Sequence, residues 1–363
     1  MLVQRKSSIM SGIEIFNFLA FCLDRDKPMP IFLDAMDWKL MYQFARQQAI
    51  VGVVSDGILR LDAGLVKIQK EELKPFLSTA SQIKRRNFLL YQQSAKVGEQ
   101  LSKDGFKNCI LKGQGNALMY ADPYIRTAGD VDVWVSGGRR QVMDYVKQRQ
   151  ADVEVRYYHA EYTQNGVPVE VHFMPGIMNN PLYNSRIQHY YQTQFDRQCA
   201  NSVSLPDGIG IISIPTAEFN VVFQLAHMMH HFFDEGIGLR QMIDYYYVLK
   251  SLPASHDDYD SLFRRLGLRK FAGAVMFVMN KVLGLDDKYL IVPMDERRGK
   301  TLLREILRGG NFGKHSGLTK HSAGEKYFLK HWRSLHFVRE YPAEALCEPF
   351  FRTWHFFWRL AHR

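Results

Sequence analysis

Leu111–Val135 reads LKGQGNALMYADPYIRTAGDVDVWV, and it joins a glycine-rich turn to an acidic strand. The turn begins at Lys112 and includes two glycines. Further along, Asp130 and Asp132 interrupt an apolar run whose alternation predicts a β-strand. Acidic residues are poor strand formers, so two of them in so apolar a run indicate a function rather than a packing role.

Strand geometry places the two acids together. Because side chains alternate along a strand, Asp130 and Asp132 lie on one face, whereas Val131, Val133 and Val135 lie on the other. Two like charges under cover of other elements repel each other unless a cation lies between them. Hard divalent cations prefer oxygen ligands. The pattern therefore predicts one or two Mg²⁺ ions, with Mn²⁺ as a substitute.

A third acid lies in the apolar run Val167–Phe173, VPVEVHF, where Glu170 shares a face with His172. If this strand lies beside the acidic strand, Asp130, Asp132 and Glu170 form a cluster of three carboxylates. Such a cluster holds metal ions that bridge a triphosphate during an in-line displacement. Glu170 is our first choice of general base for an acceptor hydroxyl.

Positive charge and backbone N–H groups precede the acidic strand. Gly113 and Gln114 lie at a predicted helix start, where backbone N–H groups favour anions. Lys112 and Arg126 add two cations that suit phosphate oxygens. We therefore expect these four residues to contact the nucleotide.

A second group of polar residues lies in the predicted C-terminal helices. His227 and His231 are four residues apart and share a helix face, as do Arg240 and Asp244, for which we expect an ion pair. His227, His231 and Asp244 suggest a metal centre, but the HExxH pattern is absent and a structural role is favoured. Together with His172, these residues are candidates for an acceptor pocket, with Arg240 facing an anionic group.

Composition limits the classes of protein. The chain has 363 residues, 47 Lys and Arg against 37 Asp and Glu, a formal charge of +10 and a pI near 9.3. This favours anionic partners such as nucleotides, whereas a nucleic acid is possible but not favoured, because the charge is scattered. The four cysteines are far apart and predict neither a zinc site nor disulfides. We find no signal peptide and no membrane span, and expect a cytoplasmic protein.

Periodicity predicts an α+β protein in three parts. Residues 1–104 have helical patterns, and residues 105–215 form an α/β core with a mixed sheet and a hairpin turn at Asn165-Gly166. Residues 216–363 are helical again, apart from a basic loop over residues 309–324. The aromatic C-terminal helices predict core packing or an oligomer interface, with base stacking or a membrane surface as alternatives. These aromatic and basic residues are Trp332, Phe337, Phe350, Phe351, Trp354, His355, Phe356, Phe357, Trp358, Arg359 and Arg363.

Three motifs together resemble a known family. The string LKG…YxDPxxRxxxDxDxxV, then VEVHF, then HxxxH…GxxxRQMxD is similar to the uncharacterised bacterial nucleotidyltransferase family of the polymerase-β-like superfamily. The resemblance spans roughly residues 107–249. It implies a mixed-sheet core with Asp130, Asp132 and Glu170 as metal ligands. It also implies that Lys112, Gly113 and Arg126 surround the nucleotide, and that the element around residues 227–244 floors the acceptor pocket.

The favoured hypothesis is a Mg²⁺-dependent transferase that moves a nucleoside monophosphate from an NTP to a hydroxyl or phosphate acceptor. One motif departs from the superfamily, since Lys112-Gly113-Gln114 stands where Gly-Gly or Gly-Ser is usual. The alternative is therefore a catalytically silent nucleotide- or nucleic-acid-binding module of the same fold. A metal hydrolase centred on His227, His231 and Asp244 ranks below both.

Overall fold

A computed structural model describes residues 12–31, 33–62, 64, 66–150, 153–253, 258–313 and 323–361, without the side chains of residues 35, 154, 323, 326, 328 and 361. Most of the predicted basic loop, residues 314–322, lies outside the described residues, as does Arg363. The described chain combines many helices with a small mixed sheet, which confirms the α+β class.

Five short strands form the central sheet in the order β1-β2-β5-β4-β3. The β2–β5 pair is parallel and the other pairs are antiparallel, so the predicted mixed direction is confirmed. The strand bounds are β1 Asn108–Leu111, β2 Val131–Val135, β3 Glu154–Val155, β4 His159–Gln164 and β5 Val167–His172. A separate hairpin consists of β6 Ser202–Ser204 and β7 Ile211–Ser213.

The Asn165-Gly166 turn fixes the register of the β4–β5 hairpin. Both residues have positive φ, 51° and 74°, as the tight turns that suit the twist of a hairpin require. Gln164 consequently faces Val167, and His159 faces His172 at the other end of the hairpin. The predicted turn is thus confirmed.

The two faces of the sheet differ in chemistry, as the alternation predicts. The valines of β2 and β5 belong to a small apolar core that also includes Val142 and Val146 of helix α6. On the opposite face, Trp134 belongs to the larger core and packs against Phe195 and Phe219, with ring centroids 4.6 and 5.6 Å apart. This second face also carries Asp132, since Asp132 and Trp134 alternate with the valines.

Helices precede, interrupt and follow the sheet. Before it lie α1 Gly12–Leu23, α2 Trp38–Gln47, α3 Val51–Leu59 and α4 Lys70–Lys103. Within the core region lie α5 Gly113–Ala117, α6 Arg139–Lys147 and α7 Pro181–Ala200. The sequence patterns did not predict α7 or the β6–β7 hairpin.

The C-terminal region contains seven helices in the described residues: α8 Ala217–Asp234, α9 Leu239–Lys250, α10 Tyr259–Leu266, α11 Arg269–Lys281, α12 Glu296–Gly309, α13 Ala323–His336 and α14 Pro342–Ala361. Residues from α1–α3 share the larger core with residues from α8–α12. The division at residues 104 and 215 stays a prediction. None of the described helices combines the length and apolar character that crossing a bilayer requires.

The C-terminal aromatic side chains are only partly packed. Phe337 is buried and contacts Phe232, and Trp354 and Trp358 pack around Tyr157. In contrast, Trp332 and Phe350 are 73% and 79% exposed. Core packing therefore accounts for only part of this aromatic set, and the oligomer interface stays a prediction.

Two tryptophans allow a matched test of the core. Trp134→Ala should lower the free energy of unfolding by about 3–5 kcal/mol, because it leaves a cavity against Phe195 and Phe219. Trp332→Ala is the control and should change it by less than about 0.5 kcal/mol, because its side chain is exposed. Urea unfolding measures both. Similar losses in the two variants would contradict this account of the core.

Candidate active site

The acidic face begins with an ion pair between Lys112 and Asp132. Antiparallel pairing places Leu111 opposite Asp132, and Lys112 follows with a backbone φ of 46°. Its ammonium Nζ lies 2.8 Å from Asp132 Oδ1. Positive φ is unfavourable for a residue with a side chain and persists where the surrounding structure enforces it, which is common at functional sites. The turn therefore aims a cation at the acidic strand.

The parallel pairing of β2 and β5 brings the second and third acids together, since Asp132 and Glu170 are partners in the register. His172 bridges them. Its Nε2 lies 3.0 Å from Asp132 Oδ1 and 3.2 Å from Glu170 Oε2. The predicted adjacency of the two strands, and with it the pairing of these two acids, is present in the structure.

The contacts determine the charge of each group. Burial opposes ionisation of Asp132, but Lys112 and the hydrogen bond with His172 hold the pKa of this carboxyl below its ordinary value. Burial likewise opposes ionisation of Glu170, but the hydrogen bond with His172 lowers its pKa to about 2. Burial would lower the pKa of His172, yet its hydrogen bonds with the two acids raise it. The contacts therefore favour the ionised form of both acids and the protonated form of His172.

Asp130 lies just before β2, beside the glycine turn. A Cβ built on Gly113 would come 3.8 Å from the Asp130 carbonyl oxygen. Burial raises the pKa of Asp130, and the charges of Asp132 and Glu170 raise it further. Asp130 therefore lies within the field of the other two acids and is the least readily ionised of the three.

Helix α8 lies over this face with two histidines. His227 Nε2 is 3.5 Å from Lys112 Nζ, and the rings of His227 and His231 are 4.4 Å apart. Burial and the nearby Lys112 hold the pKa of His227 well below its ordinary value, and burial lowers that of His231 to about 3. Both rings are therefore neutral at physiological pH, and the structure brings them to the same cluster as Lys112.

Asp244 is part of a different contact network. Its carboxylate accepts hydrogen bonds from Arg126 Nε and Nη2 at 2.8 and 2.7 Å, and from the Tyr120 hydroxyl at 2.7 Å. The expected Arg240–Asp244 ion pair is not formed. Arg240 instead donates to the Thr127 carbonyl, because three donors from residues 120–126 already surround the carboxylate.

The ligand groups in the described part of the chain differ from both predicted metal centres, because the ligand atoms of Asp130, Asp132 and Glu170 do not all lie within 4.8 Å of one another either. Within the described residues, the group of histidine and acidic ligand atoms lying within 4.8 Å of one another is His159, Glu170 and His172. The suggested centre of His227, His231 and Asp244 is not such a group, because Asp244 is bound to Arg126. The suggested hydrolase centre therefore lacks its expected third ligand in the described residues.

The profile of a family described as uncharacterised nucleotidyltransferases matches residues 34–284, more than half of the chain. The chain belongs to this family. The match begins before helix α2, ends after α11 and includes the acidic face, the Arg126–Asp244 pair and the histidines of α8. No curated protein matches the sequence.

One solved structure is similar, an antigenic nucleotidyltransferase-like protein from Paracoccidioides brasiliensis. The two chains are 16% identical, and the TM-score is 0.37. The similarity covers 57% of this chain and 95% of the fungal chain. Membership of the nucleotidyltransferase family therefore rests on the sequence profile.

Two residues predicted to contact a nucleotide have buried side chains in this member of the family. Arg126 is 4% exposed, and its guanidinium is taken up by Asp244. Gln114 is fully buried, with the Ser94 hydroxyl 3.5 Å from its Oε1. The side chains of Arg126 and Gln114 are therefore buried in the protein, whereas Lys112 and Gly113 lie next to the acids. Their contacts with a nucleotide stay predictions.

Sequence reasoning missed two residues of the site. Asn87 of α4 donates from Nδ2 to the Tyr124 and Arg126 carbonyls, at 2.7 and 2.6 Å, and so holds the loop before β2; no sequence signal marks it. His159 is the other. The two-residue turn at 165–166 fixes the register of the hairpin, so that Gln164 pairs with Val167. Five residues further from the turn on each strand, His159 pairs with His172.

The Arg126–Asp244 pair allows a test by double substitution. Arg126→Met should lower the free energy of unfolding by about 3–5 kcal/mol, because it leaves a buried carboxylate without its partner. The double variant Arg126→Met/Asp244→Leu should recover much of the loss, because it removes both charges. Urea unfolding of the two variants measures this. A double variant no more stable than Arg126→Met would show that the pair is not the cause.

The raised pKa of His172 predicts a pH dependence in metal-free protein. Protonation of His172 stabilises the folded state fully below its ordinary pKa of about 6.5, and this contribution is lost as the pH rises through the raised value. The stability difference between the wild type and His172→Gln should therefore be larger at pH 6 than at pH 9. Unfolding in EDTA tests this, and a difference that grows with pH would contradict it.

Proposed function

We propose that this protein is a Mg²⁺-dependent nucleotidyltransferase, which moves a nucleoside monophosphate from an NTP to a hydroxyl or phosphate acceptor and releases pyrophosphate. One observation carries the proposal: Asp132 and Glu170 are partners across β2 and β5, and Asp130 lies two residues before Asp132, just before β2 begins. Family membership supports the same class of reaction.

The donor atoms of this face fit a hard divalent ion. Lys112 and His172 both contact Asp132 through Oδ1, and the described contacts of Glu170 with His172 and His159 use Oε2. The second oxygen of each carboxylate is therefore the one available to Mg²⁺ or Mn²⁺. A bound ion would offset the repulsion that raises the pKa of Asp130, and would supply charge neutralisation for the phosphates.

Unbalanced positive charge near Asp130 supports phosphate binding. Arg126 and Arg240 share the field of one carboxylate, Asp244, and burial together with the charge of Arg126 lowers the pKa of Arg240. Because Arg126 already donates twice to Asp244, Arg240 is the cation with more to gain from an anion. We assign Arg240, rather than Arg126, to the triphosphate, together with Lys112, because the charges of both cations act on Asp130.

The protonation of the acids bears on the general base. Glu170, our first choice, has its pKa lowered to about 2 by its hydrogen bond with His172, against the effect of burial. A base works best when its pKa approaches the working pH. Burial and the two other acids raise the pKa of Asp130, but a bound ion would offset that repulsion, so this shift does not make Asp130 the base. Glu170 stays the proposed base, and its hydrogen bond with His172 would have to be released before it could take the acceptor proton.

A catalytically silent nucleotide-binding module remains the second candidate. The observation favouring it is that Lys112 and His172 already compensate Asp132 within the chain itself. Turnover separates the two candidates. Pyrophosphate release from ATP, GTP, CTP or UTP with Mg²⁺, in the presence of fractionated small molecules, protein or RNA as acceptors, supports the transferase.

Nucleotide binding tests the site directly. In calorimetric titrations with Mg²⁺, at least one of ATP, GTP, CTP and UTP should bind the wild type. Asp130→Asn should weaken this binding by about tenfold or more, because it removes one carboxylate from the metal cluster. Asp144→Asn, an exposed change on α6, is the control and should bind like the wild type. No binding of any nucleotide, with Asp130→Asn indistinguishable from the wild type, would refute the proposal.

A further inference from the structure

Two histidines and an acid converge beside the carboxylate pair. His159 of β4 and His172 of β5 are cross-strand partners, with ring centroids 4.9 Å apart. Both are buried, at 6% and 1% exposure. Glu170 lies on the same face of β5 as His172. The hairpin therefore holds two imidazoles next to one carboxylate.

The separations suit coordination of a single ion. Glu170 Oε2 lies 3.2 Å from His172 Nε2 and 3.8 Å from His159 Nδ1. The three groups each offer a ligand atom within 4.8 Å of the others. Ligands about 2.0–2.1 Å from a tetrahedral ion are roughly 3.3 Å apart, so small side-chain movements would complete the geometry.

A nitrogen of His159 lacks a hydrogen-bond partner in the described part of the chain. His159 Nδ1 is buried and unpaired, although it faces Glu170 Oε2 at a distance too long for a hydrogen bond. Leaving a buried polar atom unpaired costs about 1–3 kcal/mol and calls for an explanation. A metal ion that accepts the lone pair of this nitrogen would explain it.

We propose that His159, His172 and Glu170 form a cation position that takes a nitrogen-preferring divalent transition-metal ion, with Zn²⁺ as the preferred occupant. It is separate from the Mg²⁺ position proposed for nucleotidyl transfer and shares only Glu170 with it. Imidazole suits Zn²⁺, whereas Mg²⁺ requires oxygen ligands. The ion would take the place of a proton between His172 Nε2 and Glu170 Oε2.

The position would make this nucleotidyltransferase dependent on two kinds of metal. A Zn²⁺ ion bound through Glu170 Oε2 would fix that carboxylate on the hairpin and leave its other oxygen towards Asp132. The His159 ring would then be a metal ligand rather than a packing group. A site made only of carboxylates offers oxygen ligands alone, so it would not favour Zn²⁺ over Mg²⁺ as the two imidazoles do.

Metal analysis of the full chain tests the proposal. After incubation with ZnCl₂ and dialysis, the wild type should retain one zinc per chain, and calorimetry should show Zn²⁺ binding at least tenfold tighter than Mg²⁺. His159→Phe keeps a ring of similar size and removes both nitrogens, and it should weaken Zn²⁺ binding by at least tenfold. His189→Phe, an exposed change on α7, is the control and should bind like the wild type.

The proposal is overturned if the wild type retains no zinc, or if His159→Phe binds Zn²⁺ as tightly as the wild type does. Should His159→Phe fail to fold, Co²⁺ substitution in the wild type decides: strong visible absorption of a four-coordinate nitrogen-containing site supports the proposal, and its absence overturns it. Nucleotide titration with Mg²⁺ is a separate readout. Failure of all nucleotides to bind would refute nucleotidyl transfer without affecting the zinc count.

Discussion

The pairing of Asp132 with Glu170 across two parallel strands is the constraint on which the rest of the site depends. Buried carboxylates are costly unless they are paired and hydrogen-bonded. The chain meets this demand with Lys112, which follows β1, and with His172 at the end of β5. Lys112 and His172 both contact Oδ1 of Asp132. The other carboxylate oxygen of Asp132 could therefore bind a further cation.

Helices from both ends of the chain contact this charged face. Helix α8 places His227 against Lys112, and α9 supplies the Asp244 carboxylate that holds Arg126. Asn87 of α4 fixes the same loop from the other side. The loop before β2 is therefore bound both to a helix that precedes the sheet in sequence and to one that follows it. Residues of α1–α3 also share an apolar core with the C-terminal helices, and this packing stabilises the arrangement of the helices.

The parts of the site that depend on local patterns could be predicted from the sequence. Alternation located the acids and the valines, and the Asn165-Gly166 turn located the hairpin. In contrast, the Arg126–Asp244 pair joins residues 118 apart, and nothing in their own neighbourhoods specifies it. The helical spacing of Arg240 and Asp244 instead favoured a local pair, which the tertiary contacts override. The position of His159 opposite His172 could have been predicted from the hairpin register, although no sequence motif marks His159.

The backbone at Lys112 connects the fold with the chemistry. A residue with φ of 46° is strained, and the contact of its ammonium with Asp132 offsets part of that cost. Binding of a divalent ion to Asp132 would weaken this contact, since two cations would then compete for one carboxylate. Under the proposed function, the released Lys112 would be available to a nucleotide phosphate. The same lysine would then compensate Asp132 in the free protein and a phosphate in the complex.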